Sequence, residues 1–124
     1  MKDCIFCNID QSRIVRETKY SIVIRDLFPV SHLHSLLIPK RHVEEYFDLT
    51  TEEHLDLFEV LKVEKNSINK EDPTVTGFNI GMNCGKDAGQ TIFHCHIHLI
   101  PRRSGDTSEP RGGVRGVIAG KQNY

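Results

Sequence analysis

The pattern of apolar and polar positions changes period several times along the chain. Ser21 to Arg25 and Ser35 to Pro39 are short runs rich in Ile, Val and Leu, separated by Asp26-Leu27-Phe28-Pro29. Such a pattern reads as strand, turn or loop, strand, and places two neighbours in one sheet. Thr50 followed three residues later by Glu53 fits a capping box, and Leu55, Leu57, Phe58, Leu61 and Ile68 then mark an apolar stripe at helical spacing. A long helix is predicted from about Thr51 to Asn69, ending before Glu71-Asp72-Pro73 because proline disfavours helix in the residue before it. Phe78 to Asn83 alternates as a strand, Cys84 to Gln90 is a glycine-bearing loop, and Thr91 to Pro101 alternates again.

Size and charge restrict the function classes. A chain of 124 residues is long enough for one core and short for two, so residues 1–124 are read as one domain, with a core over 1–103 and a tail over 104–124. From Arg102 onward the chain holds five of the nine glycines and five Lys or Arg against two acids, an irregular basic segment expected to pack on the sheet or on a partner. The net charge of -1 supplies no whole-molecule attraction to nucleic acid or to an anionic membrane. No apolar run approaches the roughly 20 residues that a bilayer requires. The start Met1-Lys2-Asp3-Cys4 lacks the apolar core of a signal peptide, so a cytoplasmic location with reduced cysteines is expected.

The chemistry concentrates in His94-Cys95-His96-Ile97-His98. In extended chain the three histidines project from one face, and Cys95, Ile97 and Leu99 from the other, where they can be core. Three incidental histidines on one face of a half-buried strand would be a poor accident. One metal for all three is awkward, since at roughly 3.3 Å per residue His94 and His98 lie about 13 Å apart. A row of imidazoles fits better along a ligand, donating to phosphate oxygens or attacking phosphorus. The preceding loop adds Asn83, Gly85, Gly89, Gln90 and Thr91, which offer amides, a hydroxyl and closely approachable backbone.

The stretch Gly89-Gln90-Thr91-Ile92-Phe93-His94-Cys95-His96-Ile97-His98-Leu99-Ile100-Pro101-Arg102 resembles the signature of the histidine-triad nucleotide hydrolases and transferases. The resemblance extends back through Pro29-Val30-Ser31-His32-Leu33-His34-Ser35-Leu36-Leu37-Ile38-Pro39-Lys40. It implies an α+β fold, a five-stranded antiparallel sheet with packed helices, paired about a two-fold axis as a homodimer. It also implies that His96 attacks the α-phosphorus to form a nucleotidyl-histidine, which water then hydrolyses. By the same resemblance His98 and His34 contact phosphate oxygens, His94 completes the triad, and Asn83, Gly89, Gln90 and Thr91 orient the phosphates. Asp26, with Leu27 after it, is the implied ribose contact.

The family often has glycine just before the histidine matched to His34. Leu33 stands here and His32 is extra, so the turn and the choice between His32 and His34 stay open, with the spacing to Ile38-Pro39 favouring His34. Cys4-x-x-Cys7 has zinc-knuckle spacing but needs two more ligands. In the zinc-bearing branch that this sequence resembles, the partners correspond to His42 and His94, giving a closed structural zinc site. Two packed or redox-active thiols are the alternative for the cysteine pair. Transfer of the nucleotidyl group to an acceptor other than water, and nucleotide binding without turnover, are the alternative functions. The short chain favours hydrolysis over transfer, and the complete set of His34, His94, His96 and His98 argues against a mere binder.

Overall fold

The computed structural model describes residues 1–124. Five strands, β1 (Ile14–Glu17), β2 (Ser21–Arg25), β3 (Ser35–Pro39), β4 (Val75–Gly81) and β5 (Ile97–Arg103), form one antiparallel sheet in the order β1-β2-β3-β5-β4. Helix α1 (Thr51–Glu71) connects β3 to β4. No helix is long and apolar enough to cross a membrane.

Alternation along the strands sends side chains to two cores. Val23, Leu37, Cys95, Ile97 and Leu99 lie in the cluster that also takes Leu57, Val60 and Ile68 of α1. Ile22, Ile24, Leu36 and Ile38 point the other way and are covered by Phe6, with Cys4 and Ile9 packed alongside. The N-terminal segment therefore caps the face opposite α1. Leu36 pairs with His98 across β3 and β5, which puts the histidine face of β5 on that same side.

Helix α1 begins as its sequence signals. The Thr50 hydroxyl accepts from the Glu53 amide, and the Glu53 carboxylate accepts from the Thr50 amide. The helix runs two residues beyond Asn69 and stops at Asp72, before Pro73. Its buried face differs from the predicted stripe: Leu57, Val60 and Ile68 are buried, but Leu55 is 62% and Phe58 57% exposed. Glu53 and Glu64 occupy buried positions instead, and each carries its own cation. Arg41 pairs with Glu53 at 2.8 Å, while Arg16 and Arg25 hold Glu64 at 2.9 and 2.7 Å. A buried carboxylate is tolerated when its charge is matched in this way.

Both bounds of the last two strands also move, with β4 ending at Gly81, two residues short of the predicted Asn83. Strand β4 starts at Val75, three residues before the predicted Phe78, across an irregularity in register between Val75 and Gly77. Strand β5 starts at Ile97 and continues to Arg103, so residues 91–96 are extended chain outside the ladder. The reason is local. The Cys95 amide donates to the Val43 carbonyl at 2.7 Å, and the His94 carbonyl is taken by the His96 ring, so neither is free for a neighbouring strand.

Candidate functional site

Leu33 makes the turn that delivers the upstream histidine. Its φ of 72° is left-handed, a conformation that costs a leucine about 1–2 kcal/mol. The left-handed turn that glycine would favour is thus formed without glycine, and the Leu33 side chain is buried in the α1-side core. His34, next in the chain, is buried, whereas His32 is exposed. This settles the alternative: His34 reaches the triad.

The hydrogen bonds fix the tautomer of each ring. The Val30 amide donates to His34 Nδ1 at 3.1 Å, so a neutral His34 carries its proton on Nε2. That nitrogen lies 2.9 Å from His98 Nδ1, and it therefore donates to it. His98 in turn carries its proton on Nε2. His96 Nδ1 sits 2.8 Å from the His94 carbonyl, an oxygen that only accepts, so the ring donates there and Nε2 keeps a free lone pair. The His96 and His98 rings lie 5.3 Å apart, centroid to centroid, and Phe6 meets His96 edge-on at 4.9 Å.

Charge is scarce around these rings. Burial, with His96 and His34 close by, pulls His98 down to about 4, and burial lowers His34 despite Asp26 Oδ2 at 3.5 Å from its Nε2. Burial keeps His34 and His98 neutral near pH 7, as N–H donors. The arrangement offers one unprotonated nitrogen beside one fixed N–H, which suits attack on a phosphorus centre.

His94 turns its nitrogens the opposite way. Its Nε2 donates to the Pro39 carbonyl at 2.8 Å, leaving Nδ1 free at 3.4 Å from Cys4 Sγ and 3.5 Å from Cys7 Sγ. His42 Nδ1 lies 3.3 Å from Cys7 Sγ. The four ligand atoms all fall within 4.8 Å of one another. A tetrahedron with Zn–S of about 2.3 Å and Zn–N of about 2.0 Å has S···N edges of roughly 3.5 Å, so donor set and spacing fit zinc. The carbonyl on His94 Nε2 is the kind of outer partner that fixes a ligating imidazole.

The remaining residues separate into two roles. Asn83 lines a pocket of about 710 Å³ together with His98. Asp26 approaches His34 and accepts from the Phe28 amide, and exposed Leu27 borders a second hollow beside Cys4, Ile5 and Ile9. Gly89 turns the loop at φ 96° against the Asn83 amide, and Thr91 is exposed at the loop's end. Gln90 is committed elsewhere: it accepts from the Gly85 amide and donates to the carbonyls of Glu44 and Ile92, bracing the loop. Phe6, which packs on both His94 and His96, was not singled out from the sequence. Its position between Cys4 and Cys7 was the available signal, since whatever draws the cysteines to His94 carries Phe6 with them.

Comparison with known proteins follows the same lines. The chain is 44% identical over 99 residues to the nitrilase and fragile histidine triad fusion protein NitFhit of Caenorhabditis elegans, covering 80% of this chain and 22% of that protein. It is 40% identical over 98 residues to a bis(5'-nucleosyl)-tetraphosphatase (asymmetrical) of Schizosaccharomyces pombe, covering 79% and 53%. The chain thus spans about half or less of these two relatives. The crystal structure of a zinc-bound histidine triad family protein from Mycobacterium smegmatis superposes with a TM-score of 0.79 at 31% identity, covering 87% of this chain and 81% of that one. The family model for the HIT domain matches residues 9–105, and with that span and this fold the chain belongs to the HIT-domain family.

Proposed function

We propose that the protein hydrolyses nucleotide phosphate esters or anhydrides at the α-phosphorus through a nucleotidyl-histidine on His96. One observation carries the reading: the His94 carbonyl takes the His96 Nδ1 proton and leaves Nε2 unprotonated beside the His98 N–H. Nε2 forms a bond to phosphorus as the bond to the leaving group breaks, the electron pair departs with the leaving group, and solvent protonates it. Water then attacks phosphorus, the P–N bond returns its pair to Nε2, and a nucleoside monophosphate is released. Throughout, His98 donates its N–H to a phosphate oxygen and His34 holds His98 in that tautomer. Asp26 and Leu27 hold the ribose side, while Asn83, Gly89 and Thr91 face the phosphates and Gln90 keeps their loop in shape. The fission-yeast relative, a bis(5'-nucleosyl)-tetraphosphatase, falls in this class.

Cys4, Cys7, His42 and His94 hold one structural zinc in this reading, supported by their spacing and by the zinc-bound relative. Bound there, the ion would pin the N-terminal segment, and with it Phe6, against the triad. The protein works as a homodimer, which light scattering at micromolar concentration will show as twice the chain mass.

The decisive experiment is a rapid quench under acid-free conditions with an α-phosphate-labelled nucleotide. Label is expected on the wild-type protein and absent from His96→Ala. An adduct that forms equally on the His96→Ala protein refutes the assignment.

A further inference from the structure

Three consecutive residues, His42, Val43 and Glu44, touch three separate parts of the molecule. The His42 ring belongs to the cluster with Cys4, Cys7 and His94, its Nδ1 3.3 Å from Cys7 Sγ. The Val43 carbonyl accepts from the Cys95 amide at 2.7 Å, one residue before His96. The Glu44 carbonyl accepts from Gln90 Nε2 at 2.6 Å. The segment lies between β3 and a 3-10 turn, Tyr46–Asp48, and belongs to no regular element. None of its three amides donates a backbone hydrogen bond. Its place is therefore set by the His42 ring, the buried Val43 side chain and the two carbonyls, and a segment held so sparsely shifts when one hold is lost.

The loop that carries Asn83 hangs on this segment. Between Gly85 and Gln90 it is closed on itself: the Ala88 and Gln90 amides donate to the Gly85 carbonyl, the Gly89 amide to that of Lys86, and the Gly85 amide to Gln90 Oε1. A Cβ at Gly89 would lie 3.9 Å from the Asn83 amide, so the turn and Asn83 are direct neighbours. Only one hydrogen bond leaves residues 83–92, the one from buried Gln90 to Glu44. The two Nε2 protons of Gln90 go to Glu44 and Ile92, which leaves no donor for a ligand.

We propose that Gln90 is a positioning residue, and that through it the segment 42–44 makes phosphate binding at Asn83 depend on the metal cluster. The inference rests on the reaction and the zinc site proposed above. Loss of the cluster's hold on His42 lets Glu44 shift, and the loop then loses its one external bond. The strand of the nucleophile has a separate tether, the Cys95 amide on Val43, and His96 keeps its own carbonyl. Gln90 therefore acts on affinity more than on the chemical step, since contacts from Asn83 serve the ground state and the transition state alike.

The test uses the full-length, zinc-loaded protein. Gln90→Met keeps the length of the side chain and removes its donors and its acceptor. KM for diadenosine triphosphate should rise by about tenfold, with kcat changed by less than about threefold and zinc content unchanged. Gln90→Glu keeps the acceptor for Gly85 but sets an oxygen against the Glu44 and Ile92 carbonyls; it should behave alike, and it replaces the first variant should that one not fold. A fall in kcat with KM unmoved overturns the positioning role. Amide hydrogen exchange over residues 86–91 reads the coupling without activity, with α1 as the reference for a folded chain. Removing the metal from the wild type with EDTA should speed exchange in 86–91 by about tenfold while α1 keeps its protection, and in the Gln90 variant exchange should already be fast and EDTA add nothing. Wild-type exchange that EDTA leaves unmoved, or that rises only together with α1, overturns the coupling. If no nucleotide labels His96 the proposed reaction fails while the exchange arms still judge the link, and a protein that takes up no zinc refutes the zinc site and the coupling with it.

Discussion

His94 and His96 are two residues apart on the same face of the chain, yet one joins Cys4, Cys7 and His42 and the other keeps a bare nitrogen on the ring next to His98. The difference lies in which ring nitrogen a backbone carbonyl takes. Pro39 takes the Nε2 proton of His94, so Nδ1 turns to the thiols, while the His94 carbonyl takes the Nδ1 proton of His96, so Nε2 is left free. Two identical imidazoles thus receive opposite uses from a single acceptor each. The contact that frees His96 comes from the backbone of His94, so the cluster of Cys4, Cys7, His42 and His94 and the triad are coupled through one residue.

The largest test separates the two uses. His96→Asn should reduce turnover by a factor of about 10³ or more, because the proposed nucleophile is lost, while zinc content by elemental analysis stays at one per chain. A His96→Asn protein that loses zinc along with activity would break the distinction. Cys7→Ser is the converse: metal should be lost and the melting temperature should drop by on the order of 10 °C, with activity falling as the His94 carbonyl loses its anchor. Unchanged melting on chelation of the wild-type protein would remove the metal side of the comparison.

Leu33→Gly probes the turn that supplies the third ring. Glycine relieves about 1–2 kcal/mol of left-handed strain but removes a buried leucine, a change that costs about 2–5 kcal/mol even when truncated to alanine. A net loss of about 2 kcal/mol in a denaturant titration is expected, and a stabilised variant would show that the strain outweighs the packing. The smallest effect is on acid stability. His98 titrates at about 4 in the folded chain, below the usual range near 6.5, so as pH falls the unfolded chain takes up that proton first. The stability contributed by neutral His98 is complete above about 6.5 and declines as pH falls toward 4. His98→Gln should flatten the melting-temperature profile across that window.

Much of this was legible in the chain. The bounds of β2 and β3, the Thr50 and Glu53 cap, and the shared face of His94, His96 and His98 all follow from local periodicity, which depends on near neighbours alone. The parts that were not legible depend on distant partners. Four-residue β1, Ile14–Glu17, lacks enough pattern to announce itself and is defined by pairing with β2. Glu53 and Glu64 look like solvent positions until Arg41, Arg16 and Arg25 arrive from elsewhere in the chain. The late start of β5 depends on Val43, more than fifty residues earlier. The tautomers are likewise invisible in sequence, since they are set by the Val30 amide, the Pro39 and His94 carbonyls and the His34 ring, whose positions only the folded chain fixes.

The tail contributes no residue to either buried core, since every core member lies at or before Leu99. Residues 104–124 are therefore nearly free of the selection that holds the fold, while Val114, Val117 and Glu109 border the space next to His98. The packing that holds the fold and the wall beside His98 thus lie in separate stretches of the chain, so substitutions at Val114, Val117 or Glu109 reshape that space without touching either buried core.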